Sequence, residues 1–445
     1  MSNNNLRLNS LATLSIAALL AASSAALAQE APAEAIPEPA PVEAPTVAVP
    51  VASPPVVAIP EPAPAPVAEK PAAPAVSIAG TKISLYGFLQ LNAVYEDGAN
   101  GSNNENKGLN WSNYVPKNAQ DGEGRVLLNV NQTRFGLNIA GQPKETGAEV
   151  SGKFETDFLA KQDRNANGVG GFRIRHAYGQ LKFNDIGLSL LFGQTQDIIA
   201  PLVAPSLNQG GLQGQGSLGT RRPMIRLAQL IGPVEIAAAA TDNRDATAPV
   251  LPAFQGSIKA KLPAIWAGEK QNIEFILSGH YASLELAADD STGKAAKKLD
   301  SYKEPTSWSG IASLSLPIIS IINLSGEVFY GQNLSSYNVG SIGQSLTSKT
   351  GAGLQSLGGW GAANIKLPAG FAIAGGYGVE AIDKDREPAA ATGRIKNAVI
   401  FANLKYFVDE AAFIGFEYAN LSTDYVDKAD GKLNRFELVF NYSFK

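Results

Sequence analysis

Large apolar residues alternate with polar ones at the end of the chain. The closing stretch reads "RFELVFNYSFK", with apolar residues at every second position: Phe436, Leu438, Phe440, Tyr442 and Phe444. Because successive side chains of a β-strand point to opposite faces, one face of this strand is apolar and the other is mostly polar. Such a strand hides its apolar face either against a second sheet, as in a soluble sandwich, or in the lipid around a membrane barrel.

The same alternation recurs along the chain after Thr81. It marks sixteen candidate strands, near 82–95, 125–141, 147–159, 172–183, 187–199, 222–231, 233–242, 254–263, 272–286, 307–317, 322–336, 356–367, 371–383, 396–407, 411–426 and 432–444. The connections that follow odd-numbered strands are mostly long. Those that follow even-numbered strands are mostly short, such as "NDI", "IGP" and "PAG".

The alternation of long and short connections distinguishes a membrane barrel from a soluble sandwich. Long external loops that alternate with short periplasmic turns are typical of outer-membrane barrels. The pattern therefore predicts an all-β protein, a transmembrane antiparallel β-barrel of about 16 strands whose last strand closes on the first. An even strand number leaves both termini in the periplasm, and a barrel of this size encloses an aqueous channel.

Two further parts precede the barrel. Residues 1–28 carry Arg7, an apolar run and an Ala-x-Ala site that ends at Ala28, which predicts a cleaved secretory signal peptide. Residues 29–76 contain 14 of the 27 prolines and almost no aromatic residue. This composition predicts a disordered, Pro/Ala-rich periplasmic linker with polyproline II character. We expect the outer-membrane pore of a Gram-negative cell to occupy residues 77–445.

Charge and cysteine content narrow the picture further. The tail and Arg7 account for two of the 36 basic and six of the 40 acidic residues, so residues 77–445 balance at 34 of each. Any ion selectivity of the barrel must therefore come from local placement of charge. The chain contains no Cys, which excludes a disulfide framework in the exported protein.

Several segments resemble the DcaP-like family of trimeric outer-membrane porins. They are "YGFLQLNAVY" (86–95), "QTRFGLNIAG" (132–141), "FRIRHAYGQL" (172–181), "LFGQTQDIIAPL" (191–202) and "LGTRRPMIRLAQ" (218–229). The resemblance implies a 16-stranded homotrimer that passes small negatively charged organic compounds such as dicarboxylates. Members of that family commonly carry an N-terminal coiled coil, whereas this chain has a Pro/Ala-rich tail.

A porin selects its solutes by pore width and by the charges at the narrowest point. The best candidate for a loop that narrows the pore is "APLVAPSLNQGGLQGQGSLGTRRP" (200–223), which is Gly-rich and uncharged until Arg221. Glycine permits the close, irregular backbone approach that a loop along an inner wall requires. The alternative is an ordinary surface loop.

Arginines on neighbouring strands flank this loop. A guanidinium group stays charged and can hold a carboxylate with two hydrogen bonds, so these arginines are the candidate constriction and solute-binding residues. They are Arg134, Arg173, Arg175, Arg221, Arg222 and Arg226. A candidate acidic counter-face on the third strand comprises Glu149, Glu155 and Asp157, which share the predicted inner face of that strand with Lys153. The alternation in the fourth strand slips after Arg175, which predicts a β-bulge or a change of face.

We therefore expect passive diffusion of small hydrophilic solutes, with a preference for small organic anions such as dicarboxylates. Two alternatives are an unselective diffusion porin, in which the arginines only neutralise acids, and a structural barrel whose tail ties the outer membrane to the cell wall. Small residues on the predicted inner face of the thirteenth strand leave room in the lumen and argue against the structural barrel: Ala372, Ala374, Gly376 and Gly378. Expected partners are outer-membrane lipid, anionic or polar solutes, two further copies of the chain and, through the tail, the cell wall; nucleic acid is not expected.

Motifs for catalysis are weak. "GQGSLG" (214–219) matches the dinucleotide fingerprint, but no strand-turn-helix unit surrounds it. His176 and His280 are the only histidines, and neither belongs to a metal-ligand or nucleophile motif, although Ser278 shares a strand face with His280. We expect no enzyme activity, no cofactor and no metal.

Overall fold

The structure is a computed structural model. It describes residues 75–78, 80–98, 114–141, 147–160, 171–208, 210–244, 251–268, 270–283, 306–337, 340–344, 353–383, 393–427 and 430–444. The predicted signal peptide and nearly all of the predicted linker lie outside these residues. Nowhere in the described ranges is there a helix of the length and hydrophobicity needed to span a membrane.

Eighteen β-strands make up almost all of the described chain. They are β1 (Ala75–Ile78), β2 (Thr81–Glu96), β3 (Arg125–Asn129), β4 (Arg134–Ala140), β5 (Ala148–Ala160), β6 (Gly171–Phe183), β7 (Leu188–Gln196), β8 (Arg221–Ile231), β9 (Val234–Thr241), β10 (Ala253–Pro263), β11 (Asn272–Ser283), β12 (Thr306–Ile319), β13 (Ile322–Gln332), β14 (Gln355–Lys366), β15 (Phe371–Ile382), β16 (Arg394–Phe407), β17 (Ala412–Tyr425) and β18 (Asp430–Phe444). Short helical turns occur at Ala119–Asp121, Asn184–Ile186, Ile265–Ala267 and Gly340–Gly343.

These strands form one closed antiparallel barrel with sixteen strand positions in the described chain. β3 and β4 share one position because both pair with β2. β18 also pairs with β2, from Arg435 opposite Glu96 to Phe444 opposite Gly87, and this pairing removes the edges of the sheet. β1 is a short extra strand that pairs with the beginning of β2. The predicted fold class and strand number are confirmed.

The alternation of β18 has the expected physical meaning. Phe436 and Tyr442 lie on the outer face and are 37% and 55% exposed, whereas Glu437 and Val439 point inward and are at most 1% exposed. The outer face is therefore the apolar surface that requires lipid or another protein. The burial of the inward face shows that the lumen on this side is filled by other parts of the chain.

A β-bulge interrupts the pairing of β5 with β6. Glu155 lies opposite His176 and the next residue, Thr156, lies opposite Ile174, so Arg175 has no opposite residue. The predicted slip after Arg175 is confirmed. Because a bulge lets two neighbouring side chains point to one side, Arg175 and His176 both reach Glu155 on the inner face.

Candidate pore constriction

The connection from β7 to β8, residues 197–220, lies inside the barrel; we call it the lumen loop. It hydrogen-bonds with inward side chains of several strands in turn. Ile198 N donates to Gln255 Oε1 of β10 at 3.0 Å, Leu218 N donates to Glu327 Oε1 of β13 at 3.0 Å, and Gly214 O accepts from Asn397 Nδ2 of β16 at 2.7 Å. The loop therefore follows the inner wall, as predicted, and is not a surface loop.

Glycines allow the backbone of the lumen loop to rest directly on the backbone of the wall. Gly216 has φ of +103°, and a Cβ atom there would lie 2.1 Å from the carbonyl oxygen of Gly359 in β14. A Cβ atom on Gly378 of β15 would lie 2.3 Å from Gln215 O. The room that small residues leave on this face of β15 is thus occupied by the loop at Gly378, which corrects the expectation that it stays open.

Apolar contacts hold the lumen loop against the same wall. Leu212 is buried in a cluster with Trp360, Phe401 and Leu421, and Leu218 is buried in a second cluster that includes Phe329. Burying one leucine side chain contributes about 1.5–3 kcal/mol. These two anchors, together with the hydrogen bonds, hold the loop in place.

The two ends of the lumen loop are joined by a buried ion pair. Arg222 Nε lies 3.1 Å from Asp197 Oδ1, and both side chains are completely buried. The guanidinium also donates to the carbonyl oxygens of Asp242 and Ser336 and lies 4.1 Å from the ring centroid of Tyr337. Arg222 cannot meet a solute from this position, so the prediction that it lines the constriction is corrected: it closes the base of the loop.

Three of the predicted arginines, on β4 and β6, meet two acids on β5, the strand between them. Arg173 binds Asp157 through Nε–Oδ1 at 2.9 Å and Nη2–Oδ2 at 2.6 Å. Arg175 bridges both acids, with Nη1–Oδ2 of Asp157 at 2.9 Å and Nε–Oε1 of Glu155 at 2.6 Å. Arg134 Nε lies 3.5 Å from Glu155 Oε1. We call this group, with Lys153, the basic wall.

Tyr86 completes the basic wall and was not singled out in the sequence. Its hydroxyl donates to Glu155 Oε2 at 2.7 Å, and Lys153 Nζ lies 4.8 Å from its ring centroid. To reach β5 the ring crosses β4 at Gly136, where a Cβ atom would lie 2.2 Å from the Tyr86 ring. The only sequence signal for this contact is the glycine that makes room for it.

The basic wall presents cations to the lumen and keeps its acids beneath them. The side chains of Arg173, Lys153 and Arg134 are 36%, 29% and 26% exposed, whereas those of Asp157 and Glu155 are 0% and 4% exposed. Four cationic groups share these two carboxylates, so the surface that a solute meets is positive. The sequence predicted that these acids form a counter-face to the arginines. Glu155 and Asp157 instead lie beneath the arginines, which corrects that prediction.

The remaining predicted residues form no ion pair with Glu155 or Asp157 in the described chain. Arg221 is near enough to Arg173 and Arg175 for their charges to repel, and the Nε atoms of Arg221 and Arg226 are buried without a hydrogen-bond partner in the described chain. Glu149 contacts Asn184 in the turn after β6, so it does not join the other two predicted acids.

The two histidines occupy different environments. His176 Nδ1 lies 2.9 Å from Thr195 Oγ1 beside the basic wall. His280 is buried between Ser307 and Ser309 and stacks on Tyr337 at 3.8 Å, while Ser278 donates to Ile199 O of the lumen loop. Ser278 and His280 therefore both have packing roles. In the described ranges no group of three His, Asp or Glu side chains is placed to hold a metal ion.

No protein-family model matches the chain, and no curated protein matches it. Solved structures do. The outer-membrane channel DcaP of Acinetobacter baumannii superimposes with a TM-score of 0.67 over 84% of this chain and 100% of that chain, at 20% identity. An anion-selective porin from Comamonas acidovorans gives 0.52 over 82% of this chain and 100% of that chain, at 13% identity.

A third structure extends the comparison beyond those two channels. OmpF of Salmonella typhi, in complex with daunomycin, gives a TM-score of 0.53 over 83% of this chain and 100% of that chain, at 13% identity. Similarity at such identities shows the fold. The chain thus has the fold of the outer-membrane porins, and the resemblance to the DcaP-like porins that its sequence suggested is confirmed at the level of that fold.

Proposed function

We propose that the protein is an outer-membrane porin for passive diffusion of small hydrophilic solutes, and that it favours small organic anions such as dicarboxylates. The observation that carries this proposal is the basic wall, where accessible cations cover buried acids. The lumen loop lies on the facing side of the barrel and has no charged side chain between Ile198 and Thr220. A solute at this level therefore meets positive charge on one side and neutral groups on the other.

The same contacts account for passage rather than tight binding. A carboxylate can pair with the accessible guanidinium of Arg173 or the ammonium of Lys153. Both cations are already paired, Arg173 with Asp157 and Lys153 with Glu155. Each cation therefore offers a solute only part of its charge and hydrogen-bonding capacity. Conduction requires binding that favours entry yet permits exit, and shared cations meet this requirement.

The proposal includes a location and an organisation. The barrel lies in the outer membrane of a Gram-negative cell with its apolar outer face against lipid and both termini in the periplasm. Residues 1–28 direct export and residues 29–74 form a periplasmic linker that can reach the cell wall. Because β1 begins at Ala75, the pore begins two residues earlier than the sequence predicted. The chain assembles as a homotrimer, as implied by the DcaP-like sequence resemblance. Diffusion through this pore breaks no bond, so no enzyme activity is proposed.

Replacing Arg173 and Lys153 together by Gln is expected to reduce the anion-to-cation permeability ratio about threefold or more, because two accessible charges leave the lumen. Arg175 still pairs with Asp157 in this variant, so the buried acid keeps a partner. The measurement is the reversal potential of the refolded protein in a planar bilayer under a KCl gradient.

Lys117→Gln is the matched control, since Lys117 pairs with Asp427 outside the basic wall and its loss should leave the ratio unchanged. An equal effect of both variants would remove the basic wall from the mechanism. A wild-type protein that conducts without preference would favour the unselective porin, and one that does not conduct would favour the structural barrel.

A further inference from the structure

Three carboxylates on the stretch of wall from β13 to β17 point inward. They belong to Glu327 of β13, Glu380 of β15 and Glu417 of β17, and they are 5%, 1% and 1% exposed. No Lys or Arg nitrogen of the described chain lies within 4.0 Å of any of them. An unpaired carboxylate on the wall of an aqueous channel would normally be hydrated and charged, so their burial needs a cause.

The lumen loop is the cause for two of the three. Glu417 accepts hydrogen bonds from Ser206 Oγ at 2.7 Å, from Leu207 N at 2.6 Å and from Asn208 N at 3.2 Å. Asn403 of the neighbouring strand adds a fourth donor at 2.9 Å. Neutral groups of the loop thus replace the water that would solvate this carboxylate.

Glu327 is covered at the other end of the lumen loop. Its Oε1 accepts from Leu218 N at 3.0 Å, while its Oε2 is buried without a hydrogen-bond partner in the described chain. Glu380 is covered by a different segment, since it accepts from Ser341 N in the Gly340–Gly343 turn. Removal of the lumen loop therefore uncovers the carboxylates of Glu327 and Glu417, whereas that of Glu380 stays covered.

We propose that the lumen loop determines the charge selectivity of the pore by covering Glu327 and Glu417. With the loop in place, the accessible charge at this level is that of the basic wall. With the loop displaced, two hydrated carboxylates are added to the inner surface of the barrel, and their negative charge offsets that of the basic wall and removes the preference for anions. This inference rests on the proposed porin function and adds a role for the loop beyond narrowing the channel.

The ends of the lumen loop lie side by side, so the loop can be shortened without moving β7 or β8. A Cβ atom on Gly219 would lie 3.2 Å from that of Ala200, and Asp197 N donates to Thr220 O at 2.8 Å. The short-loop variant replaces residues 201–218 by Gly-Ser and keeps both anchoring residues, Asp197 and Arg222.

Three proteins are compared with the wild type by reversal potential under a KCl gradient. The short-loop variant should lower the anion-to-cation permeability ratio at least about threefold, because two carboxylates become accessible. The short-loop variant that also carries Glu327→Gln and Glu417→Gln should recover most of the wild-type ratio. Glu327→Gln alone, with the full loop, should leave the ratio unchanged because its amide oxygen still accepts from Leu218 N.

Several results would overturn the proposal. They are an unchanged ratio in the short-loop variant, an equal shift with and without the two Gln substitutions, and a shift caused by Glu327→Gln in the intact protein. If the short-loop variant does not fold, Gly216→Val displaces the loop instead, and Glu327 and Glu417 should then react with a water-soluble carbodiimide, as read by mass spectrometry. Absence of labelling together with an unchanged ratio counts against the proposal.

The two proposals fail in different ways. A wild-type protein without anion preference contradicts the proposed function, yet a carboxylate-dependent shift in the short-loop variant still supports the role of the loop. An anion-selective wild type whose ratio is unaffected by loop shortening keeps the function and removes the role of the loop.

Discussion

Replacing Asp197 by Ala is expected to lower the free energy of unfolding by about 3–5 kcal/mol, because it leaves the buried Arg222 guanidinium without its counter-charge. Asp197 also accepts from Thr220 N at 2.8 Å and from Gln255 Nε2 at 2.7 Å, so its loss removes three contacts at the base of the lumen loop. The measurement is the urea unfolding equilibrium of the protein in lipid vesicles, followed by tryptophan fluorescence.

Asp242→Ala is the matched control for this prediction. Asp242 pairs with Arg244 at 3.1 Å, and their side chains are 45% and 41% exposed. Exposed ion pairs contribute about 0.2–1 kcal/mol, and the backbone carbonyl of Asp242 that binds Arg222 is retained in the variant. Equal destabilisation by the two substitutions would show that water solvates the Arg222 guanidinium as soon as its partner is removed.

Replacing Gly216 by Val is expected to raise single-channel conductance roughly twofold, because the lumen loop must leave the wall and the narrowest section widens. The Cβ atom would meet the backbone carbonyl of Gly359, which cannot rotate away. A β-branched residue at φ of +103° is also a conformational outlier, so the side chain cannot be accommodated by a small backbone adjustment.

Gly211→Val separates these two causes. Gly211 lies in the same loop with φ of +55°, but a Cβ atom there has no neighbour within 4 Å. Both variants carry the cost of a positive φ, and only Gly216→Val adds the clash with the wall. Planar-bilayer recordings should therefore give a near wild-type conductance for Gly211→Val. A conductance that is also unchanged in Gly216→Val would mean that the loop does not narrow the pore.

The strands of this barrel were predictable because alternation is a local property. Each strand has its own lipid-facing series of apolar residues, such as Phe436 to Phe444 in β18, and no knowledge of its neighbours is needed to recognise it. The bulge at Arg175 was predictable for the same reason, since it breaks the alternation. The glycines of the lumen loop likewise gave a local signal for close backbone contact.

The composition of the basic wall was less predictable. Alternation determines which face of the sheet a residue occupies, but not its position along the barrel axis or whether a loop buries it. Glu149 and Glu155 share a face of β5, but six residues of strand separate them by about 20 Å, so only one of them reaches the arginines. Arg222 and Arg173 both point inward. Arg222 is buried because the loop supplies Asp197, which belongs to no strand, as its partner, whereas Arg173 remains accessible.

The adjacency of Ala200 and Gly219 makes the lumen loop a module. Its backbone leaves β7 and returns to β8 at nearly the same point, so its length and sequence can change without altering the strand pairing that builds the barrel. The width of the pore at the loop is then set by a segment that takes no part in the pairing of the barrel strands. Exchange of the lumen loop alone can therefore change the narrowest section of the pore. Exchange of a barrel strand is more constrained, because the new strand must also keep apolar residues at its lipid-facing positions.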